Sequence, residues 1–238
     1  MKILAIDSSA VSASCAVCED DRIIAQSFVN VGLTHSETLL ELIADTLEGA
    51  QLSLPDMDYL AVSSGPGSFT GIRIGVSTVK GMAFTEQLPC VGVSTLEAIA
   101  RGLTGYIGDA VVCPVMDARR SQVYNALFSA GEDMERLCED RAISIEELAA
   151  ELCDKYAGRT VILCGDGAEL CMSRMEGSVP GVHLAPVQLR YQTGYGVAAA
   201  ARKAAETGGA VSHERLVPMY LRPSQAEREL AEKSKKPE

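Results

Sequence analysis

Two aspartates and one glycine-rich loop are the residues best placed for chemistry. Asp7 closes the apolar run "KILAI" and Asp117 closes "VVCPVM", each followed by a polar turn. An Asp at the end of a strand that borders a cleft can hold a water or a metal ion. The alternative is an Asx-type cap of the turn that follows. The loop Gly65-Pro66-Gly67-Ser68-Phe69-Thr70-Gly71 leads from the buried run "YLAVSS" into a helical pattern. Such a junction leaves backbone N–H groups at the positive end of a helix, where an anion or nucleotide is stabilised. Ser68 and Thr70 would add hydroxyl donors, and Arg73 is the candidate counter-charge.

Familiar phosphate fingerprints do not fit this loop. A Walker loop needs Lys-Ser/Thr after its last glycine, where Ile72-Arg73 stands, and the dinucleotide fingerprint needs glycine at Thr70. Gly67 directly precedes Ser68, so no nucleophile elbow is formed. A second reading therefore stands beside anion binding: Gly71 and Gly75, four apart on one helix face, open a groove for another backbone. The three histidines, His35, His183 and His213, are not at metal spacing, since Leu39 follows His35 by four. Cys15 and Cys18 are formally a C-x-x-C, but the setting reads as a strand, which turns them to opposite sides. Eight cysteines without an export signal are expected to be reduced thiols.

The elements that must position these residues follow from hydrophobic pattern. "KILAI", "SASCAVCE" and "RIIAQSFV" read as strands, residues 34–50 as a helix, "YLAVSS" as a strand, 70–87 as a helix, "PCVGV" as a strand and 95–103 as a helix. The layout then recurs about 100 to 110 residues on, with Asp117 standing where Asp7 stood and "TVILCGDGAEL" echoing "YLAVSSGPGSF". A strand near 134–139, the helix "SIEELAAELCDKYA" and a last helix over 186–208 complete the second copy. Two copies of one layout predict two lobes facing a cleft: 1–105, 106–210, and an extension, 211–238, ending in a charged tail.

Composition agrees with an α/β class. Of 238 residues, 47% are hydrophobic and 5% aromatic, with no Trp, so the core must be aliphatic. No apolar run reaches the ~18 residues that span a bilayer, and the expectation is a soluble, cytoplasmic protein. The net charge of −11 argues against autonomous binding of nucleic acid, which needs a basic stripe. The helix "HSETLLELIADTLEGA" carries Leu39, Leu40, Leu42, Ile43, Ala44 and Leu47 over an arc of roughly 200°, twice what packing on one sheet requires. The excess predicts a second apolar neighbour.

The opening "MKILAIDSS", the helix "HSETLL", the loop "SSGPGSFTGIRIGVSTVKGMAF" and the ending "PMYLR" together resemble the bacterial TsaB (YeaZ) family. The resemblance implies a duplicated actin-like ATPase fold (ASKHA, ribonuclease H-like), each lobe a mixed five-stranded sheet with flanking helices. It also implies a non-catalytic subunit of the machinery for tRNA threonylcarbamoyladenosine. The catalytic paralogue, TsaD, holds a metal with "NHLEGH"; the matching text here is "GVSTLEAIA", with Thr95 and Ile99 at the two His places. By resemblance the chain pairs with a TsaD-type transferase through its two leading helices, a TsaE-type ATPase docks across the junction, and tRNA is met only through the complex. The partner surface expected is His35, Leu39, Leu40, Ile43, Leu47, Gly71, Ile72, Gly75, Val79 and Met82. The residues expected at an anion or nucleotide, ATP or ADP, are Asp7, Gly65, Gly67, Ser68, Thr70 and Arg73. No metal and no resident cofactor are expected, and alone the chain is expected to form a homodimer on the same face. The competing reading is an actin-like ATPase or peptidase with its own activity.

Overall fold

Aliphatic runs bounded by glycine and polar turns become strands in the computed structural model, which describes residues 1–32, 34–103, 108–131, 134–175 and 177–222. The first half runs β1 (Lys2–Asp7), β2 (Ala13–Glu19), β3 (Arg22–Val29), α1 (His35–Ala50), a 3-10 turn (Leu54–Asp56), β4 (Tyr59–Gly65), α2 (Phe69–Glu86), β5 (Cys90–Ser94) and α3 (Thr95–Arg101). The second runs β6 (Ala110–Asp117), β7 (Gln122–Ser129), β8 (Arg136–Ser144), α4 (Ile145–Lys155), β9 (Thr160–Cys164), α5 (Ala168–Met175), β10 (Val182–Leu184), α6 (Val187–Arg190) and α7 (Gly194–Glu206).

The halves share one topology. The sheets are ordered β3-β2-β1-β4-β5 and β8-β7-β6-β9-β10. In each, the first three strands are antiparallel and the last two join in parallel. The duplication read from the sequence is therefore present strand by strand, and the two mixed five-stranded sheets are those of the actin-like class. β10 is three residues long, too short to show alternation, and the sequence pattern did not mark it.

Each sheet is covered on both faces. α1 and α2 bury Leu39, Ile43, Ile72, Val76 and Val79 against Leu4, Ile6 and Val62 on one face of the first sheet. On its other face Ala198 and Ala201 of α7 meet Ile3, Ala5 and Val91. α4 and α5 cover one face of the second sheet, while Leu96, Ile99 and Ala100 of α3 pack on the other beside Val112 and Phe128. α3 is thus wedged between the two sheets. The expected helix over 186–208 is broken: Thr193 caps α7 by accepting from Gly196 N at 3.1 Å, and α6 ends three residues earlier. Although α7 closes the second half in chain order, it lies on the first sheet, with Gly194 pressed on Cys15 and Ala16.

Polar contacts fasten the halves. Arg136 on β8 reaches Glu97 on α3 at 3.2 Å and Asp140 at 2.5 Å, and Ser94 Oγ donates to Asp140 at 2.5 Å. After α7, residues 211–222 form a strap along the first half. Val211 bridges Cys90, Leu216 is buried, and Lys80 Nζ donates to the carbonyl of Leu216 at 3.1 Å. Met219 N donates to Ser64 O at 2.7 Å, and Arg222 Nη1 donates to Ala118 O at 3.3 Å. The basic tail cluster Lys233, Lys235 and Lys236 lies outside the described residues. Among those residues no helix is long and apolar enough to cross a membrane.

Candidate functional site

Two surfaces compete for function: a cleft between the halves and a groove between α1 and α2. The cleft encloses about 680 Å³ and takes Ser9, Gly67, Ser68 and Phe69 from the first half and Asp117, Arg119 and Asp166 from the second. Tyr220 and Arg222 of the strap also line it. Of the two strand-end aspartates, one reaches this cleft. Asp117 lies on its wall, accepting from Arg119 N at 2.7 Å and facing the Arg119 guanidinium at 3.4 Å.

Asp7 does not point toward the cleft as expected. It is 1% exposed, beneath the turn that follows it. Its oxygens accept from Ser9 N at 2.9 Å, Ser9 Oγ at 2.8 Å and the hydroxyl of Ser63. Burial pushes its carboxyl up and the hydroxyl and amide donors pull it back. Its role is the Asx-type cap, and it belongs to no open anion site.

Asp166, in the second-half Gly-x-Gly, is a cleft residue that the sequence reading passed over. Burial pushes its carboxyl up to about 6, against the pull of Gln192 Nε2, which donates at 2.6 Å; Asp117 and Asp7 add to the rise. The signal was available, since Gly165 and Gly167 echo Gly65 and Gly67.

The glycine loop is built against its own chain. Ser68 N donates to Ser9 O at 2.7 Å, and Ser68 Oγ caps α2 by accepting from Gly71 N at 3.3 Å. A Cβ on Gly71 would stand 2.1 Å from Ser8 O, one on Gly75 2.3 Å from Ser8 Oγ, and one on Gly65 2.0 Å from Met219 O. The groove expected on Gly71 and Gly75 for another protein's backbone is therefore filled by the Ser8 turn. Ser68 is exposed and lines the cleft, while Thr70 and Arg73 are exposed on the first turns of α2, Arg73 bordering the α1–α2 groove.

Most of the expected partner residues are likewise inside. Leu39, Ile43, Ile72 and Val79 are 1%, 3%, 0% and 0% exposed, because they form the seam between the helices and the first sheet. Leu47 and Met82 are half-buried against that seam. His35 lies at the start of α1 with Nε2 2.7 Å from Ala10 O. Leu40 is different, at 63% exposed. It borders a groove of about 370 Å³ whose other walls include Leu39, Ile74, Ser77, Thr78 and Arg73. The surplus apolar arc of α1 thus reduces to Leu40 and its exposed neighbour Ala44. Further along α2, Phe84 is also 63% exposed, off the buried stripe of that helix. Ile74, Ser77, Thr78 and Phe84 were missed by pattern reading, which follows the buried face.

The cysteines have no part in either surface. Cys15 sits in the cluster beneath α1 and α2, Cys18 in the one beneath α7, on opposite faces of one sheet. Burial pushes both thiols up to about 12, so they are packing groups. Thr95 and Ile99, 0% and 2% exposed, are walled in on α3.

This geometry, a duplicated sheet topology about a central cleft, defines an actin-like α/β protein. In fold alone it resembles the ethanolamine utilization protein EutJ from Carboxydothermus hydrogenoformans, at TM-score 0.52 and 15% identity over 84% of this chain and 90% of that one. A far closer likeness is a crystal structure from Pseudomonas aeruginosa described as similar to the peptidase YeaZ: TM-score 0.79, 26% identity, 93% of this chain and 99% of that one. Residues 30–174 match the family model TsaD, tRNA N6-adenosine threonylcarbamoyltransferase. The Bacillus subtilis tRNA threonylcarbamoyladenosine biosynthesis protein TsaB is 30% identical over 177 residues, 74% of this chain and 76% of that protein. Its Escherichia coli namesake is 38% identical over 133 residues, 56% of this chain and 57% of that protein. The chain belongs to the TsaB (YeaZ) family.

Proposed function

We propose that this chain serves tRNA threonylcarbamoyladenosine biosynthesis as a partner-binding subunit that activates a TsaD-type transferase. The observation that carries the reading is the α1–α2 groove, where Leu40 lies 63% exposed beside Ile74 and Arg73. A contiguous apolar patch with polar residues about it is what a docking surface offers, and Leu39, Leu40 and Ile74 line this groove together with Ser36, Ser77, Thr78 and Arg73. A Geotalea uraniireducens tRNA N6-adenosine threonylcarbamoyltransferase, 33% identical over 114 residues, is built from related sequence, which suits pairing of like with like. Thr95 and Ile99, at the places where the transferase family carries metal-binding histidines, are closed into the core, in keeping with catalysis residing in the partner. In the absence of the partner, a second copy of the chain would seat on the same face and form a homodimer. A TsaE-type ATPase at the junction completes the assembly, and tRNA is met through the complex.

The test is reconstitution: threonylcarbamoyladenosine formed on a tRNA transcript by the transferase, with its donor adenylate and the ATPase, in the presence and absence of this chain. The account expects product to depend on the chain. Equal product without it would overturn the activator role, and ATP turnover by the isolated chain that Asp117→Ala abolishes would favour an enzyme with its own activity.

A further inference from the structure

Arg73 is exposed, yet it is held before anything binds. Its guanidinium carbon lies 3.8 Å from the centroid of the Phe69 ring, one turn earlier on α2. Its Nε donates to Tyr220 Oη at 2.9 Å, and the Phe69 and Tyr220 rings stack at 4.6 Å. Tyr220 is itself anchored, because Met219 N bonds Ser64 O at 2.7 Å and Arg222 bonds Ala118 O at 3.3 Å on either side of it. A long side chain that is ordinarily free is thereby fixed by a ring beneath it and a hydroxyl at its side. Fixing such a group in advance removes the ordering cost of binding.

The fork that is left has a definite use. With Nε satisfied, the two terminal nitrogens present their N–H groups end-on, and no partner for them is found among the described residues. Arg73 itself is a wall residue of the α1–α2 groove, with Ile74 and Ser77, and its guanidinium is held at the end of that wall by Phe69 and Tyr220. Paired N–H donors in one plane match a carboxylate or a phosphate. The facing helix decides between these. Glu37, Glu41, Asp45 and Glu48 are all exposed along α1, and the chain carries a net charge of −11. A polyanion laid on this face would meet that ridge along its length, whereas a single carboxylate on a largely basic protein surface would not.

We propose that the Arg73 fork binds a side-chain carboxylate of the protein partner seated in the α1–α2 groove, on a partner face that is otherwise basic, and that Tyr220 is the positioning residue for that fork. The inference rests on the reading of the groove as the docking surface and adds to it the chemistry of the occupant. It also gives the C-terminal strap a function at the interface: it orients the anchor.

The experiment uses the full chain and a TsaD-type transferase, with the dissociation constant measured by calorimetry at low and at physiological salt. Arg73→Lys keeps the charge and loses the planar fork, and is expected to weaken binding by about 30-fold. Tyr220→Phe keeps the ring and loses the acceptor, and is expected to weaken it by about 3-fold to 10-fold. Joined to Arg73→Lys, Tyr220→Phe should cost nothing more, a coupling that a merely structural role for Tyr220 would not give. Leu40→Asp separates the two levels of the argument. If Leu40→Asp disrupts the complex while both single variants bind within about 2-fold of the parent, the anchor is wrong and the docking face stands. If Leu40→Asp also leaves binding unchanged, the docking face fails and the anchor with it. If Arg73→Lys spares the protein complex but weakens its grip on a tRNA transcript, the fork takes a phosphate, and the proposal is overturned.

Discussion

Adding one methyl group at Gly71 tests the packing on which both surfaces depend. In Gly71→Ala the new Cβ would stand 2.1 Å from the Ser8 carbonyl oxygen and 3.2 Å from His35 Cδ2. Neither neighbour is a loose side-chain end: one is backbone in a buried turn, the other a ring held by Ala10 O at 2.7 Å. The helix and the turn must separate by roughly 1.4 Å to restore an ordinary contact of about 3.5 Å. Overpacking of this kind costs about 1–3 kcal/mol. The separation also strains the bond from Ser8 Oγ to Gly71 O at 2.9 Å, worth about 1 kcal/mol. Alanine returns up to about 1 kcal/mol through helix propensity. The balance is a loss of about 1–3 kcal/mol, or a fall in Tm of roughly 3–10 °C for a chain of this size. Gly81→Ala on the same helix is the control, since a Cβ there meets nothing within 4 Å. It should gain about 0.5–1 kcal/mol from the same propensity term. Thermal and urea unfolding of both variants decide the matter. A Gly71→Ala protein that melts at or above the parent would show that α2 does not sit on the Ser8 turn as described.

Neighbouring leucines on α1 should part company. Leu40→Asp, on the surface, is expected to leave Tm within about 1 °C while weakening the transferase complex at least 10-fold, whereas Leu39→Asp, 1% exposed, buries a charge and should cost about 3–5 kcal/mol in a denaturant titration. Asp166→Asn should stabilise the protein in a pH-dependent way. The folded carboxyl titrates near 6 and an unfolded one near 3.8, so the native state binds the extra proton between those values and loses stability as pH rises through them. Because Asp166 is partly open to the cleft, the gain of the Asn variant at pH 7.5 is set at about 1–2 kcal/mol; it should vanish near pH 4, and a gain that is the same at both pH values would contradict the burial argument. Arg136→Ala removes the partner of Glu97 and Asp140 at the junction of the halves, and an expected loss of about 1–3 kcal/mol by urea unfolding measures what that contact contributes.

Much of the fold was written in local pattern. The strands are aliphatic runs closed by Asp or Gly, and α4 announces itself through Ser144 and Glu147, which form the capping box seen at its start. The duplication was legible because both halves repeat the same order of elements. What could not be read was which distant surface each element meets. The Ala-rich text of α7 says that one face is buried, but not that the face belongs to the first sheet, an assignment made by contacts some 180 residues apart such as Gly194 N to Ser14 Oγ. Gly71 and Gly75 correctly announce a close approach. Whether the approaching group belongs to the same chain is a tertiary fact, and here it is Ser8.

The candidate site divides along the same line. Asp7 and Asp117 occupy equivalent places in the two copies, yet Ser63 and Ser9 close over the first while the second stays on the cleft wall. Leu40 was legible as an apolar residue too many on α1. The Arg73–Phe69–Tyr220 arrangement was not, because its members are 147 residues apart in the chain and nothing local ties the strap to α2.

Hydrogen–deuterium exchange on the chain, free and bound to a TsaD-type transferase, asks the central question most directly: where the partner sits. The account predicts added protection over residues 36–48 of α1 and 70–84 of α2, with the walls of the cleft around Asp117 and Asp166 unchanged. Protection confined to the cleft, with the two helices exchanging as in the free protein, would contradict it.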